Sequence, residues 1–284
     1  MYSIKAHKLL KDDKPVAWVP TKNKGGVIKP LYIVVHDTAS PLTPNGDISW
    51  LSGNGNNGSS AHFVVARDGT ITQLANCNVK TWHAGVSKWN GKQNCNDFTI
   101  GIEIDNPGKV EQVEKGLFKS YYGTIHEDIE RDVKFAYKET PQHGKGWWCF
   151  YTPAQIEAVV GMCQAMIKAY GCTEIITHWM ISPGRKVDTN PLFPLDQVRE
   201  RAFGNKDAEP NAWGSAPPAF VPDATVLVDN LNLRAQPAMG NNIITALLKG
   251  ERVDVRGVSG EWLQVITKDN KGGYLYSTMV QQDK

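Results

Sequence analysis

Long apolar runs are missing from this 284-residue chain. No stretch approaches the roughly 20 residues needed to cross a bilayer, so no membrane-spanning segment is expected. The first residues, Met1 to Lys14, lack the apolar core of a secretory leader, and no signal peptide is expected. Cysteine is sparse. The five, at 77, 95, 149, 163 and 172, are an odd number with no C-x-x-C pair, a poor basis for a disulfide framework. A Cys77–Cys95 bridge stays open as an alternative, and Cys163 falls on the apolar face of a predicted helix as a small hydrophobe. Net charge is nearly absent: 31 basic against 29 acidic residues leave +2. The resulting pI near 8.2 suits an anionic polymer but is too weak to argue for nucleic acid. What remains is an ordinary globular composition, 41% hydrophobic and 21% charged. The length suits one large domain, or one medium and one small.

The first thirty positions are polar and interrupted by Pro15, Pro20 and Pro30, which reads as an extended surface lead-in. Leu31-Tyr32-Ile33-Val34-Val35-His36 comes next, a β-branched apolar run expected as a central strand covered on both faces. A short helix is predicted around Ile48-Ser49-Trp50-Leu51, then a loop through Gly53 to Ser60. The runs Ala61–Ala66 and Thr70–Leu74 flank Arg67-Asp68-Gly69 and predict a hairpin. Phe98 to Ile104 is a further strand, with Gly101 and Glu103 on one face and Ile100, Ile102 and Ile104 on the other. Residues 109–148 read as a charged, irregular insertion. Thr152-Pro153-Ala154-Gln155 is a helix start, with apolar spacing through Ile167 and a stop at Gly171. Glu174-Ile175-Ile176-Thr177 predicts a buried strand, and a second helix is expected from Pro194. The fold class is therefore α/β, a mixed central sheet flanked by helices, over residues 1–205. A Pro/Ala/Gly/Ser-rich linker spans 206–223, and closely spaced short strands over 224–284 predict a small β-barrel.

His36 ends one strand and His178 leaves another. If those strands are parallel neighbours, both imidazoles reach the same sheet edge, where open α/β sheets place their sites. Asp188, ten residues beyond His178 past Pro183-Gly184, adds a carboxylate. Two histidines and a carboxylate with a fourth position free form a catalytic zinc set. They are also the donor set of non-haem iron oxygenases, and the three ligands alone do not separate the two. Glu103, an acid within an otherwise apolar strand, is the candidate general base; Lys186 is the candidate oxyanion stabiliser.

Five ordered blocks carry a family resemblance: Val34-Val35-His36; Ser60-Ala61-His62-Phe63 through Asp68-Gly69; Trp82-His83-Ala84-Gly85; Asn96 through Glu103; and His178 through Asp188. Over roughly residues 25–205 the chain resembles the type 2 N-acetylmuramoyl-L-alanine amidases, which share their fold with peptidoglycan recognition proteins. The resemblance implies a zinc hydrolase that cuts the amide between the muramic lactyl group and L-alanine of the stem peptide. It implies Zn2+ on His36, His178 and Asp188, with Glu103 and Lys186 catalytic. It places Trp82, His83 and Arg67 where substrate contacts are expected, and His62 where a substrate contact, a supporting residue or an interior one would stand. Residues 109–148 depart from the compact family pattern. The C-terminal strands resemble a bacterial SH3-like domain through Leu231 to Pro237, Leu248-Lys249-Gly250 and Gly260 to Val265, which implies attachment to cell-wall peptide. The partner expected is peptidoglycan or a muropeptide, met at the cell wall after an export route the sequence does not display. A non-catalytic peptidoglycan receptor is the rival on the same fold; it would typically have lost a ligand.

Overall fold

The computed structural model describes residues 1–42, 44–127, 133–204, 222–234, 236–240, 242–268 and 271–283. The chain divides into two units, Met1–Trp213 and Gly214–Lys284. The expected linker lies outside the described residues except for positions 222 and 223.

The lead-in is not simply extended. Strands β1 (Tyr2–Lys5), β2 (Lys8–Lys11) and β3 (Lys14–Pro15) form a small antiparallel sheet, and β4 (Ala17–Trp18) joins the edge of the central one. Central strand β5 (Tyr32–Asp37) is buried at every position, which is why it reads as an unbroken apolar run. Helix α1 (Pro44–Leu51) comes after it, then the hairpin β6 (Phe63–Val65) and β7 (Ile71–Gln73), antiparallel as expected. At its turn Gly69 has φ +79°, and a Cβ there would sit 2.7 Å from the Ala154 carbonyl oxygen, so only glycine fits. A two-strand ribbon, β8 (Lys88–Trp89) and β9 (Lys92–Gln93), precedes β10 (Thr99–Ile104).

The insertion is ordered structure rather than irregular chain. Strands β11 (Lys109–Glu114), β12 (Leu117–Ser120), β13 (Ile125–Glu127), β14 (Phe135–Thr140) and β15 (Gly144–Cys149) make a five-stranded antiparallel sheet around Val110, Phe118, Phe135 and Cys149. Helix α2 (Pro153–Tyr170) begins with the expected capping box between Thr152 and Gln155 and ends on Gly171 in the left-handed conformation. Strand β16 (Glu174–Thr177), the short helix α3 (His178–Ile181) and helix α4 (Leu195–Phe203) complete this unit.

The central sheet runs β16-β5-β10-β6-β7-β4 and is mixed: β16, β5, β10 and β6 are parallel, β7 is antiparallel to β6. One face carries Ile33, Val35, Ile100, Ile102, Phe63 and Ile175 against Val159, Val160, Cys163 and Met166 of α2. Each such buried side chain contributes roughly 1.5–3 kcal/mol against chain entropy. The opposite face carries Tyr32, Val34 and Ile176 under Ala84, Trp89, Cys95, Met180 and Ile181. All five cysteines are free and buried, so Cys77 and Cys95 are not bridged.

In the second unit, β17 (Ala224–Val226), β18 (Leu231–Arg234), β19 (Ile243–Leu247), β20 (Arg252–Ser259), β21 (Trp262–Thr267), β22 (Gly272–Tyr276) and β23 (Val280–Gln282) form one seven-stranded sheet. Val226, Leu233, Val253, Leu263, Val265 and Leu275 fill it.

Candidate metal centre

Strand registry builds the site. In the parallel pair β5 and β10, Glu103 lies directly opposite His36, so their side chains leave the same face. On the other flank of β5, Thr177 pairs with Val35, and the chain turns into α3 at His178. His36 and His178 therefore emerge side by side, and Asp188 folds back onto them: its carbonyl accepts the Trp179 backbone N–H at 2.7 Å. His36 Nδ1 is 2.9 Å from His178 Nδ1 and 3.1 Å from Asp188 Oδ2; His178 Nδ1 is 2.9 Å from the same oxygen. Among the described residues no other trio of His, Cys, Asp or Glu converges in this way.

The hydrogen-bond network fixes which nitrogen of each ring faces the cluster. The Cys95 carbonyl only accepts, so the Thr99 hydroxyl donates to it at 2.6 Å. Thr99 Oγ1 then takes the His83 Nε2–H at 3.2 Å, which leaves a lone pair on His83 Nδ1. That lone pair accepts His36 Nε2–H at 2.9 Å, so His36 Nδ1 points a lone pair into the cluster. On the other side His178 Nε2–H donates to the Ala84 carbonyl at 3.1 Å, a carbonyl that Arg185 also holds at 2.8 Å, and His178 Nδ1 likewise presents a lone pair. These tautomers are assigned from the network. Burial favours the neutral form of His36 and His83: it pushes His36 down to about 4, helped by His178 and Lys186, and takes His83 well below the ordinary imidazole range. Two lone pairs and a carboxylate oxygen about 3 Å apart repel one another without a cation among them. Outer nitrogens held by the protein, inner ones aimed at one point, and a borderline N,N,O donor set fit zinc.

Glu103 is half-buried and raised well above the ordinary carboxylate range, by burial first and then by Asp188, Asp47 and Asp37, with Lys186 opposing. Its carboxylate has no hydrogen-bond partner among the described residues, which leaves it available to a proton carrier. Lys186 is exposed on the loop after Pro183. Trp82 is also exposed, at 41%, beneath the Lys80 ammonium 4.3 Å from its ring. Beyond Glu103 on the same face, a groove of about 360 Å³ runs between α1 and the hairpin, lined by Leu42, Asn45, Ile48, Val64, Thr70 and Thr72 among others.

Three of the residues considered for the substrate are tied to the protein itself. His83 is buried and lies behind His36, holding its outer nitrogen. His62 is wholly buried, donating Nε2–H to the Val79 carbonyl and accepting the Gly101 N–H and Thr81 hydroxyl at Nδ1, so it braces the sheet. Arg67 lines the groove, but its guanidinium is bound to the Phe150 carbonyl and Gln155 Oε1, tying the hairpin to the start of α2. Sequence reasoning also passed over Asp37, whose Oδ1 accepts the Tyr151 hydroxyl and whose Oδ2 accepts the Asn190 N–H at 2.7 Å. Burial pushes Asp37 up to about 8. The signal was present: an acid in an apolar strand, the same anomaly that marked Glu103.

Fold and site together define a mixed α/β protein with a His-His-Asp group able to hold a metal ion, beside a half-buried glutamate. The chain belongs to the N-acetylmuramoyl-L-alanine amidase family, whose profile matches residues 27–191, and a bacterial SH3 domain profile matches residues 229–281. The Haemophilus influenzae 1,6-anhydro-N-acetylmuramyl-L-alanine amidase AmpD is 54% identical over 141 residues, 49% of this chain and 55% of that protein. The Escherichia coli AmpD is 28% identical over 150 residues, 52% of this chain and 60% of the relative. The E. coli amidase AmiD is 29% identical over 136 residues, 47% and 38% of the two chains. The chain thus spans little more than half the length of the AmpD relatives. A solved complex of E. coli AmiD with anhydro-N-acetylmuramic acid-L-Ala-D-gamma-Glu-L-Lys aligns over 76% of this chain and 68% of that one, at 24% identity and TM-score 0.45, a loose likeness.

Proposed function

We propose that this protein is a zinc-dependent peptidoglycan amidase that hydrolyses the amide between the N-acetylmuramic lactyl group and L-alanine of the stem peptide. The observation that carries the proposal is the meeting of His36 Nδ1, His178 Nδ1 and Asp188 Oδ2, with Glu103 in register beside His36. Zinc held by these three would supply Lewis acidity toward a water and a carbonyl oxygen. The chain's own groups do the rest. Glu103 takes a proton from the water as its oxygen adds to the lactyl carbonyl carbon. Lys186 offsets the negative charge that develops on the carbonyl oxygen. As the C–N bond breaks, Glu103 returns the proton to the departing alanine nitrogen, and the glutamate is regenerated. Burial raises its pKa above the ordinary carboxylate range, which favours its holding the proton between the two transfers. The groove beyond Glu103 would take the stem peptide, and exposed Trp82 an apolar face of the substrate.

The AmpD relatives are named for the 1,6-anhydro substrate, which supports the choice of a muramyl amide. The bacterial SH3 module would keep the enzyme at the wall, raising local substrate concentration through effective molarity. Its presence favours intact wall over soluble fragments as the working substrate, so the site of action would be the cell wall. Mass spectrometry of sacculi digested by the zinc-loaded protein tests this. Stem peptides with a free L-alanine amine and intact glycan strands are expected. A zinc-loaded protein that binds sacculi but releases nothing would mark a receptor; cleaved glycan would refute the bond assignment.

A further inference from the structure

The insertion reaches back to the loop that carries Asp188. At the turn between β14 and β15, His143 donates Nε2–H to the Thr189 carbonyl at 2.9 Å while its Nδ1 accepts the Thr140 hydroxyl at 2.7 Å. The ring sits edge-on to Trp148 of β15 and to Trp179 beside His178, with centroids 5.7 Å away in each case. Lys138 of β14 donates to the Pro191 carbonyl at 2.7 Å. From the other side, Asn190 Nδ2 donates to the carbonyl of Cys149, the last residue of β15, at 3.0 Å. The carbonyls of Asp188, Thr189 and Pro191 and the N–H of Asn190 are thus all held, two of the four by the insertion.

We propose that the 109–149 sheet is a clamp on the Asp188 loop, and that His143 and Lys138 are positioning residues for this carboxylate rather than catalytic ones. The inference rests on the reading of His36, His178 and Asp188 as a metal centre. Its physical basis is that a carboxylate on an irregular loop keeps a ligand geometry only if neighbouring peptide groups are fixed. The two groups fixed by the insertion, the Thr189 and Pro191 carbonyls, lie one and three residues from Asp188.

The test uses the full chain and Zn2+ alone as probe, with affinity measured against a competing chelator. Amide hydrogen exchange at Trp179 and Asn190 is monitored in the zinc-free protein. Replacing a residue that supports a ligand typically weakens metal binding by 10–100-fold. His143→Ala is therefore expected to raise the zinc dissociation constant by about 10-fold and to speed exchange at both amides. His143→Gln, whose side-chain N–H can reach the same carbonyl, should restore most of both. Lys138→Ala, at an exposed position that leaves the hairpin core intact, should move both readouts in the same direction by less. Unchanged zinc affinity and exchange in the alanine variants would overturn the clamp, as would a glutamine variant no better than alanine. If the wild-type chain takes up no zinc, the proposed function fails by itself. Exchange then decides the clamp alone: protection lost in His143→Ala supports it, and protection kept refutes it.

Discussion

Gly101→Ala is expected to damage the metal centre without adding any polar or charged group. Gly101 lies on β10 at ordinary strand dihedrals, so alanine fits the backbone; the conflict is with its neighbour. A Cβ there would come to 2.5 Å from His83 Cγ and 2.7 Å from Nδ1, against an ordinary carbon contact near 3.5 Å. The ring must retreat by about 1 Å, yet it is packed against His36 and His62, with centroids 5.1 and 5.9 Å away, and Thr99 holds its Nε2. Overpacking of this kind costs about 1–3 kcal/mol, and losing the His83–His36 hydrogen bond adds about 1 kcal/mol. A fall in folding stability of roughly 2–4 kcal/mol is expected. Zinc binding should weaken by 10-fold or more, because His36 loses the partner that aims it. Urea unfolding and chelator competition read the two effects. The decisive comparison is a double-mutant cycle with His83→Ala, which removes the obstructing ring. Gly101→Ala should cost much less in that background. Additive costs, or a Gly101→Ala protein as stable as wild type, would refute the reasoning.

Glu103→Ala and Lys186→Ala should each keep the fold and bind zinc yet lose on the order of 10²-fold or more in turnover of a muropeptide; wild-type rates in either variant would remove that residue from the mechanism. Asp105, fully buried with Oδ2 unpartnered, is pushed up to about 7 by burial and then by Asp47. The folded state therefore holds a proton that the unfolded chain releases near 3.8. Stability from this group is fully present below that value and is lost as pH rises to about 7. Asp105→Asn should flatten the decline between pH 4 and 7 and gain about 2–4 kcal/mol at pH 8; an unchanged pH profile of the thermal midpoint would contradict it. Deleting residues 224–284 should weaken binding to sacculi in a co-sedimentation assay while sparing hydrolysis of a soluble muropeptide, and unchanged binding would reduce this unit to a spacer.

The strands that hold the ligands were legible because burial on both faces removes polar alternation, leaving Ile33-Val34-Val35 and Ile175-Ile176 as plain apolar runs. His36 and His178 stand out at their ends. Motif blocks locate a residue along the chain but not the direction of its side chain, which is why His83 and Arg67 read as substrate contacts and His62 stayed open between a contact and an interior role. Gly101 held the missing cue for His83, since a glycine inside a strand marks a close approach. The insertion was opaque for a different reason. Phe118, Phe135 and Trp147 are spread over three strands, so none of the segments shows a period of its own. The N-terminal sheet turns at Ala6-His7 and Asp12-Asp13, all four at positive φ, without the glycine that usually announces such hairpins. Asp37 points to the face opposite His36, so its role emerges only once Asn190 and Tyr151 are brought to it by the fold.

X-ray absorption at the zinc edge of the zinc-loaded chain addresses the three-ligand centre most directly. Four nitrogen or oxygen scatterers at about 2.0–2.1 Å are expected, with the outer-shell signature of two imidazoles that falls to one in His36→Ala. A sulfur scatterer at about 2.3 Å, or a spectrum unchanged by His36→Ala, would place the metal elsewhere and contradict the account.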